Sequence, residues 1–268
     1  MKAYLALFKL NLINGLQYRA AAIAGITTQV FFGLVIVMVF LAFYQSNDLN
    51  NVPMQLNQLV SYIWLNQIFF SLTYIWQKDA TLLNMIKDGN VAYELCRPIN
   101  FYKKWFSTMY GNRLANLILR GPLMIIIALL LPIPYRLGLP VSSTTFGLFI
   151  IAMIISSLLV TSFALLYHLV TFYSLNEKGL VEFLVITTNV FSGSFIPIAF
   201  FPHFLQKIAY ILPFQYIINL PFSIYNGTIS SKQAISAIIS SIIWLLGLII
   251  GGYILAHRAT KKAVIQGG

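Results

Sequence analysis

Six apolar stretches of membrane-spanning length alternate with more polar connections along the chain. The first, Ala20 to Phe43, carries no charge. At about 1.5 Å per residue it is long enough to cross a hydrocarbon layer of ~30 Å as a helix. The second, Leu56 to Trp76, is also uncharged but holds Asn57, Gln58, Ser61, Asn66, Gln67, Ser71 and Thr73. A lipid-facing helix needs none of these, so one face is expected to meet other helices or a wet cavity. The third stretch lies between Trp105 and Tyr135, the fourth between Phe146 and Phe172, the fifth between Phe183 and Phe201, and the sixth between Ala234 and Leu255. The pattern predicts an all-α membrane protein of six transmembrane helices, a single transmembrane domain over residues 1–268.

Three connections carry structure of their own. In residues 1–19, Leu5, Phe8, Leu12 and Leu16 recur at helical spacing while Lys2, Lys9 and Gln17 can reach water, which predicts an amphipathic helix on the membrane interface. That run is short and interrupted by Lys9, Asn11 and Asn14, so no cleavable signal is expected. Residues 77–104 read as a helix from Asp79 to Lys87, a turn at Asp88-Gly89-Asn90 and a second helix ended by Pro98. Leu82, Leu83, Ile86, Val91, Tyr93 and Leu95 give this hairpin an apolar face. That face either folds back on the chain's own helices or docks a cytosolic partner. In residues 192–232, Gly193, Pro197, Pro202, Pro213, Pro221 and Gly227 forbid a continuous helix. Broken backbone at membrane depth must be buried in protein or line a watery cavity, so a re-entrant hairpin in the outer half of the membrane is expected. An ordinary external loop with two surface helices is the other reading.

Charge orients the model. Hydrophobic residues make up 59% of the chain and charged residues 9%, with a mean hydropathy of +0.82, which excludes a soluble globule. With the N-terminus in the cytosol, Lys2, Lys9, Arg19, Lys78, Lys87, Arg97, Lys103, Lys104, Lys178, Arg258, Lys261 and Lys262 fall inside. Arg136, Lys207 and Lys232 fall outside. This asymmetry places both termini in the cytosol. The net charge of +11 then reflects orientation and contact with anionic lipid, not nucleic-acid binding. The lone Cys96 can form no internal disulfide and has no metal-ligand neighbours in sequence.

The arrangement resembles the permease subunit of an ABC transporter of the ABC-2 type, the type V exporter fold. The N-terminal helix, the short cytosolic helices after the second span, the Gly193-Ser194-Phe195-Ile196-Pro197 break and the Pro202 to Pro213 stretch carry the resemblance. Gly89, Leu95 and Pro98 look like the motif of a branch in which two permeases accompany one ATPase. The resemblance implies a multi-pass protein of a prokaryotic cytoplasmic membrane. It also implies two cytosolic ATP-binding subunits and a second permease, identical or homologous, as partners. Asp79, Leu82, Leu83, Ile86, Gly89, Glu94, Leu95 and Pro98 would then couple to the ATPase, and Gly193, Pro197, Pro202 and Pro213 would form the external gate.

No Gly-x-x-x-x-Gly-Lys-Ser/Thr phosphate loop occurs, so the chain is not expected to be an enzyme, and ATP and Mg belong on the partner subunit. Ser194 with His168 or His203 could imitate an intramembrane serine protease, but no His-Glu-x-x-His or Gly-x-Ser-x-Gly pattern supports it. Asn66 and Gln67 are candidates to line a pathway. Arg113 and Arg120, seven residues apart on the third span, either face a cavity that attracts an anionic group or snorkel to headgroups. The expected function is export of an amphipathic or hydrophobic small molecule, lipid or peptide by alternating access. An ATPase-independent carrier or channel is the alternative; against it count the lack of a clear intramembrane carboxylate and of an internal repeat.

Overall fold

A computed structural model describes residues 2–46, 52–75, 80–87, 90–96, 98–173 and 177–266. Among these residues the fold is nearly all helical, with no strand. In chain order the helices are α1 (Lys2–Leu16), α2 (Arg19–Ser46), α3 (Leu56–Ile68), α4 (Phe70–Thr73), α5 (Ala80–Lys87), α6 (Val91–Leu95), α7 (Phe101–Leu130), α8 (Ser143–Val170), α9 (Glu177–Phe191), α10 (His203–Ile211), α11 (Asn219–Tyr225) and α12 (Ser231–Gln266). Helices over Arg19–Gln45, Phe101–Leu130, Ser143–Tyr173 and Ser231–Lys261 are long and apolar enough to cross a membrane.

The remaining two expected spans are shorter than the hydrophobic pattern suggested. α3 stops after 13 residues at Phe69, whose φ of −94° and ψ of 7° leave helical geometry. The chain makes one further turn in α4 and becomes extended at Tyr74. α9 ends at Phe191, so the apolar residues up to Phe201 are not part of that helix. Gly193, at φ +82°, turns the backbone away immediately afterwards. Hydropathy reads burial, and both segments are buried, but it does not see where a backbone bends. Conversely, α12 runs past Leu255 to Gln266, because Arg258, Lys261 and Lys262 are good helix formers that need not stop where the apolar stretch stops.

α8 is the axis of the bundle. It is strongly apolar and buried on every side in its second half, while Phe146, Ile150, Ile151 and Ile154 leave an exposed side in its first. α11, α12 and α7 pack around it. α2 presents only a narrow stripe inward, with Ala22, Ile26, Gln29 and Val37 buried while Ile23, Phe31, Phe32, Met38 and Val39 are exposed, the pattern of a helix bounded by lipid.

Contacts between connecting segments sort onto two ends. At the hairpin end, Asn100 N–H donates to Tyr4 Oη at 3.0 Å, Asn100 Nδ2 reaches Tyr253 Oη at 3.3 Å, and the Phe101 and Phe172 rings lie 6.4 Å apart. At the far end, Tyr44 donates to Met54 O and Trp64 Nε1 to Tyr135 O, while Val141 abuts Gly227. Three helices that start at the far end, α3, α8 and α12, begin with reciprocal side-chain to backbone caps at Gln55/Gln58, Ser142/Thr145 and Ser230/Gln233. Each cap satisfies amide groups that the first turn cannot pair.

α1 packs along the first half of α7, in the same sense, through Tyr4, Phe8, Asn11 and Gly15. Leu5, Leu10 and Ile13 do not take part in this packing and are exposed. The contact surface is set by size, since a Cβ at Gly111 would stand 2.9 Å from the Phe8 carbonyl and one at Gly15 would stand 2.5 Å from Ala115 Cβ. Gly111→Leu should therefore push α1 off α7, at a cost of about 1–3 kcal/mol for overpacking. Hydrogen exchange over residues 2–16 should accelerate, whereas Gly247→Leu, which meets open space, should leave it unchanged. Equal exchange in the two variants would refute the close packing.

Candidate translocation path and coupling surface

α3 carries the polar residues that its hydrophobic length does not require, and they are used on non-helical backbone. Gln58 and Asn226 bond reciprocally, Gln58 Nε2 to Asn226 O at 3.2 Å and Asn226 Nδ2 to Gln58 O at 2.9 Å. Ser61 Oγ accepts from Gly138 N at 2.9 Å. Tyr62 Oη donates to Gly193 O at 2.8 Å, Trp64 Nε1 to Tyr135 O at 2.6 Å, and Asn66 Nδ2 to Ser194 O at 2.7 Å. α3 thus holds the connection after α7, the break after α9 and the end of α11, on more than one of its sides. Tyr225 adds a bond to Gly138 O at 2.9 Å, and Asn219 N to Ser192 O at 3.0 Å.

The broken segment is therefore a built structure. Pro197, Pro202 and Pro213 stand at the starts of helical turns, the 3₁₀ turn Ile198–Phe200, α10 and the 3₁₀ turn Pro213–Tyr216. A missing N–H costs nothing at such positions, and the fixed φ favours the turn. Pro197 and Pro213 are buried and Pro202 exposed. All seven residues of α11 are buried, so this short helix is internal, not a surface loop. Ser156 of α8 donates to Ile217 O, tying it to the axis.

The candidate pathway residues separate on inspection. Asn66 spends its amide on Ser194, and its Oδ1 is buried without a partner. Gln67 is buried beside Gly33 of α2. Arg113, 5% exposed, donates from Nη1 to Leu72 O at 3.2 Å and Tyr74 O at 2.8 Å, the carbonyls left free where α4 ends. Arg120 extends toward Gly25 of α2. Ser157, Thr161 and Ser162 bond back to carbonyls of their own helix, the usual arrangement of hydroxyls at packed membrane helices.

At the hairpin end, α5 packs against the turn Thr171–Tyr173 and α6 against α12. Glu94 pairs with Lys104 of α7, which fixes α6 to the first turn of that helix. Leu82 and Val91 are fully buried and hold the hairpin to the chain itself. Leu83 and Ile86 are half-buried, Leu95 closes α6 and Pro98 is exposed. Asp79 and Gly89 lie outside the described residues. What faces outward is Thr81, Asn84, Asn90, Cys96 and above all Tyr93, 75% exposed. The sequence could not split Leu82 from Tyr93, because the helices are too short for periodicity to assign a face.

The residues of the protease-like reading lie on different elements. His168, buried near the hairpin end of α8, has Nδ1 2.6 Å from Ala164 O, while Ser194 lies on the α3 face. Among the described residues no group of three His, Cys, Asp or Glu side chains could hold a metal. Sequence reasoning missed Tyr62 as the central clamp, since an aromatic within an apolar run gives no signal of its hydroxyl's task.

A family model described as ABC-2 type transporter matches residues 2–225, most of the chain, and the chain belongs to that family. It is a multi-pass membrane protein of the ABC transporter permease kind. No curated protein gives a significant match.

The Tyr62–Gly193 contact generates a non-additive pair. A Cβ at Gly193 would stand 2.6 Å from Tyr62 Oη at a backbone φ of +82°, so Gly193→Ala meets both a clash and conformational strain. Tyr62→Phe loses one hydrogen bond, on the order of 0.6–1.7 kcal/mol in a membrane protein. In the Tyr62→Phe background Gly193→Ala should cost less than in the native chain, because the hydroxyl it strikes is gone. A double-mutant cycle of thermal unfolding in detergent reads this directly, and strict additivity would refute the contact.

Proposed function

We propose that this chain is the transmembrane permease subunit of an ATP-driven ABC exporter, moving an amphipathic or hydrophobic small molecule, lipid or peptide across a prokaryotic cytoplasmic membrane by alternating access. The observation that carries the proposal is the division of labour between the two ends of a bundle that belongs to the ABC-2 family. One end bears a short helical hairpin fastened to α7, α8 and α12, and the other is closed by broken backbone clamped to α3. In this reading α3 and α9 complete six crossings, both termini are cytosolic and the hairpin end faces the cytosol. The basic residues Lys2, Lys9, Lys103, Lys104, Arg258 and Lys261 on that side support it.

ATP and Mg would be held by two partner subunits seated on the hairpin, with a second permease completing the pathway. A push on α5 and α6 would travel through the Glu94–Lys104 pair to α7, and through the contact of α6 to α12. α7 borders both α3 and α2, so a tilt of α7 against α3 would strain the bonds that close the far end. Asn66, Gln67, Arg120 and the segment from Gly193 to Pro213 are the residues such a movement would rearrange.

Two expected outcomes test this. Tyr93→Glu, which alters the most exposed apolar side chain of the hairpin without touching the Glu94–Lys104 pair, should reduce co-purification of an ATP-binding subunit by about tenfold or more, the scale of an interface anchor. Undiminished co-purification would place the docking surface elsewhere. Independently, the exposed Cys96 should react with a membrane-impermeant thiol reagent only when the cytosolic face is opened. Labelling of intact cells would invert the orientation.

A further inference from the structure

The two arginines of α7 have different fates. Arg113 is satisfied by the carbonyls of Leu72 and Tyr74 and so serves the fold. Arg120 makes no hydrogen bond or ion pair among the described residues, and its Nε is buried without a partner. Its guanidinium tip lies against α2, where a Cβ on Gly25 would stand 2.6 Å from Nη1 and 2.7 Å from Cζ. The absence of a side chain at Gly25 makes the room that the cation occupies.

Depth makes the bare charge expensive. Ten residues separate Arg120 from Leu130 at the far end of α7, a rise of ~15 Å, half of a hydrocarbon layer of ~30 Å. With Leu130 taken at the edge of the hydrocarbon, a side chain at that level falls short of either headgroup region. Intramembrane cations are found paired or facing a cavity, and an isolated one implies a missing counter-charge. The carboxylate of Glu94 belongs to Lys104 at the hairpin end. One turn along α2 from Gly25, Gln29 is 8% exposed with Oε1 buried and unpartnered, and Asn66 Oδ1 on α3 is in the same condition. Unsatisfied polar atoms thus recur on the three helices that meet here. Leu123, one turn beyond Arg120 on α7, and Thr28, one turn beyond Gly25 on α2, are exposed, which leaves the crevice open to the apolar phase on that side.

We propose that Arg120, seated opposite Gly25, receives the anionic group of an amphipathic ligand at mid-membrane depth, a carboxylate, sulfonate or phosphate whose apolar part remains among the exposed side chains of α2 and α7. That the ligand is transported cargo rests on the exporter reading above; that the site takes an amphipathic anion does not.

The test is photolabelling of the full-length chain in phosphatidylcholine nanodiscs with a diazirine-bearing palmitic acid and, separately, its methyl ester, with the labelled residues mapped by mass spectrometry. The free acid should label residues 19–46 and 101–130 about tenfold more than the ester. Arg120→Gln should erase this preference and Arg120→Lys should retain part of it. Gly25→Val, which keeps the charge but fills the space of the guanidinium, should weaken it. If phosphatidylglycerol in the discs suppresses the acid's labelling to the level of the ester, the site stands and its occupant is a bilayer phospholipid. If labelling persists there, the site stands and its occupant is a free amphiphile. Equal labelling by acid and ester, or a preference unchanged in Arg120→Gln, would overturn the proposal. Should Arg120→Gln fail to fold, an unchanged preference in Gly25→Val overturns it instead. No ATP and no partner subunit is needed, so loss of this result is distinguishable from failure of ATPase co-purification.

Discussion

Backbone polar groups in an apolar environment must be paired within the protein, and the rest of this structure follows from how that requirement is met where the helices break. A regular helix satisfies its own carbonyls and amides except at its ends. Here the chain leaves helical geometry beyond Ile68, beyond Leu130, at Ser192 to Pro197 and at Asn226, all against apolar neighbours. α3 answers three of these breaks with Gln58, Ser61, Tyr62, Trp64, Asn66 and the reciprocal Asn226, while Arg113 answers the fourth. An unpaired amide or carbonyl in such surroundings costs several kcal/mol, so these side chains decide whether the breaks can exist at all.

This accounting explains why the most polar span is also among the most buried. α3 has Leu59, Val60, Tyr62, Ile63, Trp64 and Leu65 buried along with Ser61 and Gln67, leaving no lipid-facing side. A helix of that composition in the lipid phase would be unstable; at the centre of three broken segments it is required. α8 plays the opposite part. Its serine and threonine hydroxyls mostly return to its own carbonyls, and the bonds it makes outward tie it to its neighbours, Ser156 to Ile217 of the internal turn, Ser157 to Tyr110 of α7 and Tyr167 to Thr188 of α9. One helix supplies bonds to loops and the other supplies a fixed wall.

The all-helical class and the four long helices are legible in hydropathy because each covers more than a bilayer's thickness without interruption. The break at Gly193 to Pro197 is legible because glycine and proline act through the backbone locally. The bend at Phe69 is not, since no residue between Ile68 and Tyr74 forbids a helix; nor is the stop at Tyr74, where the carbonyls of Leu72 and Tyr74 are met by Arg113, about forty positions away in sequence. For the same reason the sequence could mark Arg113 and Arg120 as unusual but not separate them. Their difference lies in which helix ends nearby. The hairpin was legible as two short helices, while its buried side, Leu82 and Val91, depended on contacts with α12 and the end of α8 that no local pattern encodes.

A pathway residue in such a protein cannot be recognised by polarity alone, because most intramembrane polarity here is consumed by the fold. Among the described residues, the buried side-chain atoms left without a partner are those of Gln29, Asn66, Ser71, Tyr102, Trp105 and Arg120, and of these Arg120 alone carries a charge. Acceptors can be met by water, but a charge in hydrocarbon needs an opposite charge or a wet cavity, and no described carboxylate is paired with Arg120. The bonds that fasten the far end include single bonds from Tyr62, Trp64 and Asn66 to loop carbonyls, a Gly138 amide held by Ser61 and the reciprocal pair of Gln58 with Asn226. The bonds to the broken segments and the unshared charge of Arg120 therefore meet where α2, α3 and α7 pack together, which is where the exporter reading proposed above would place its pathway.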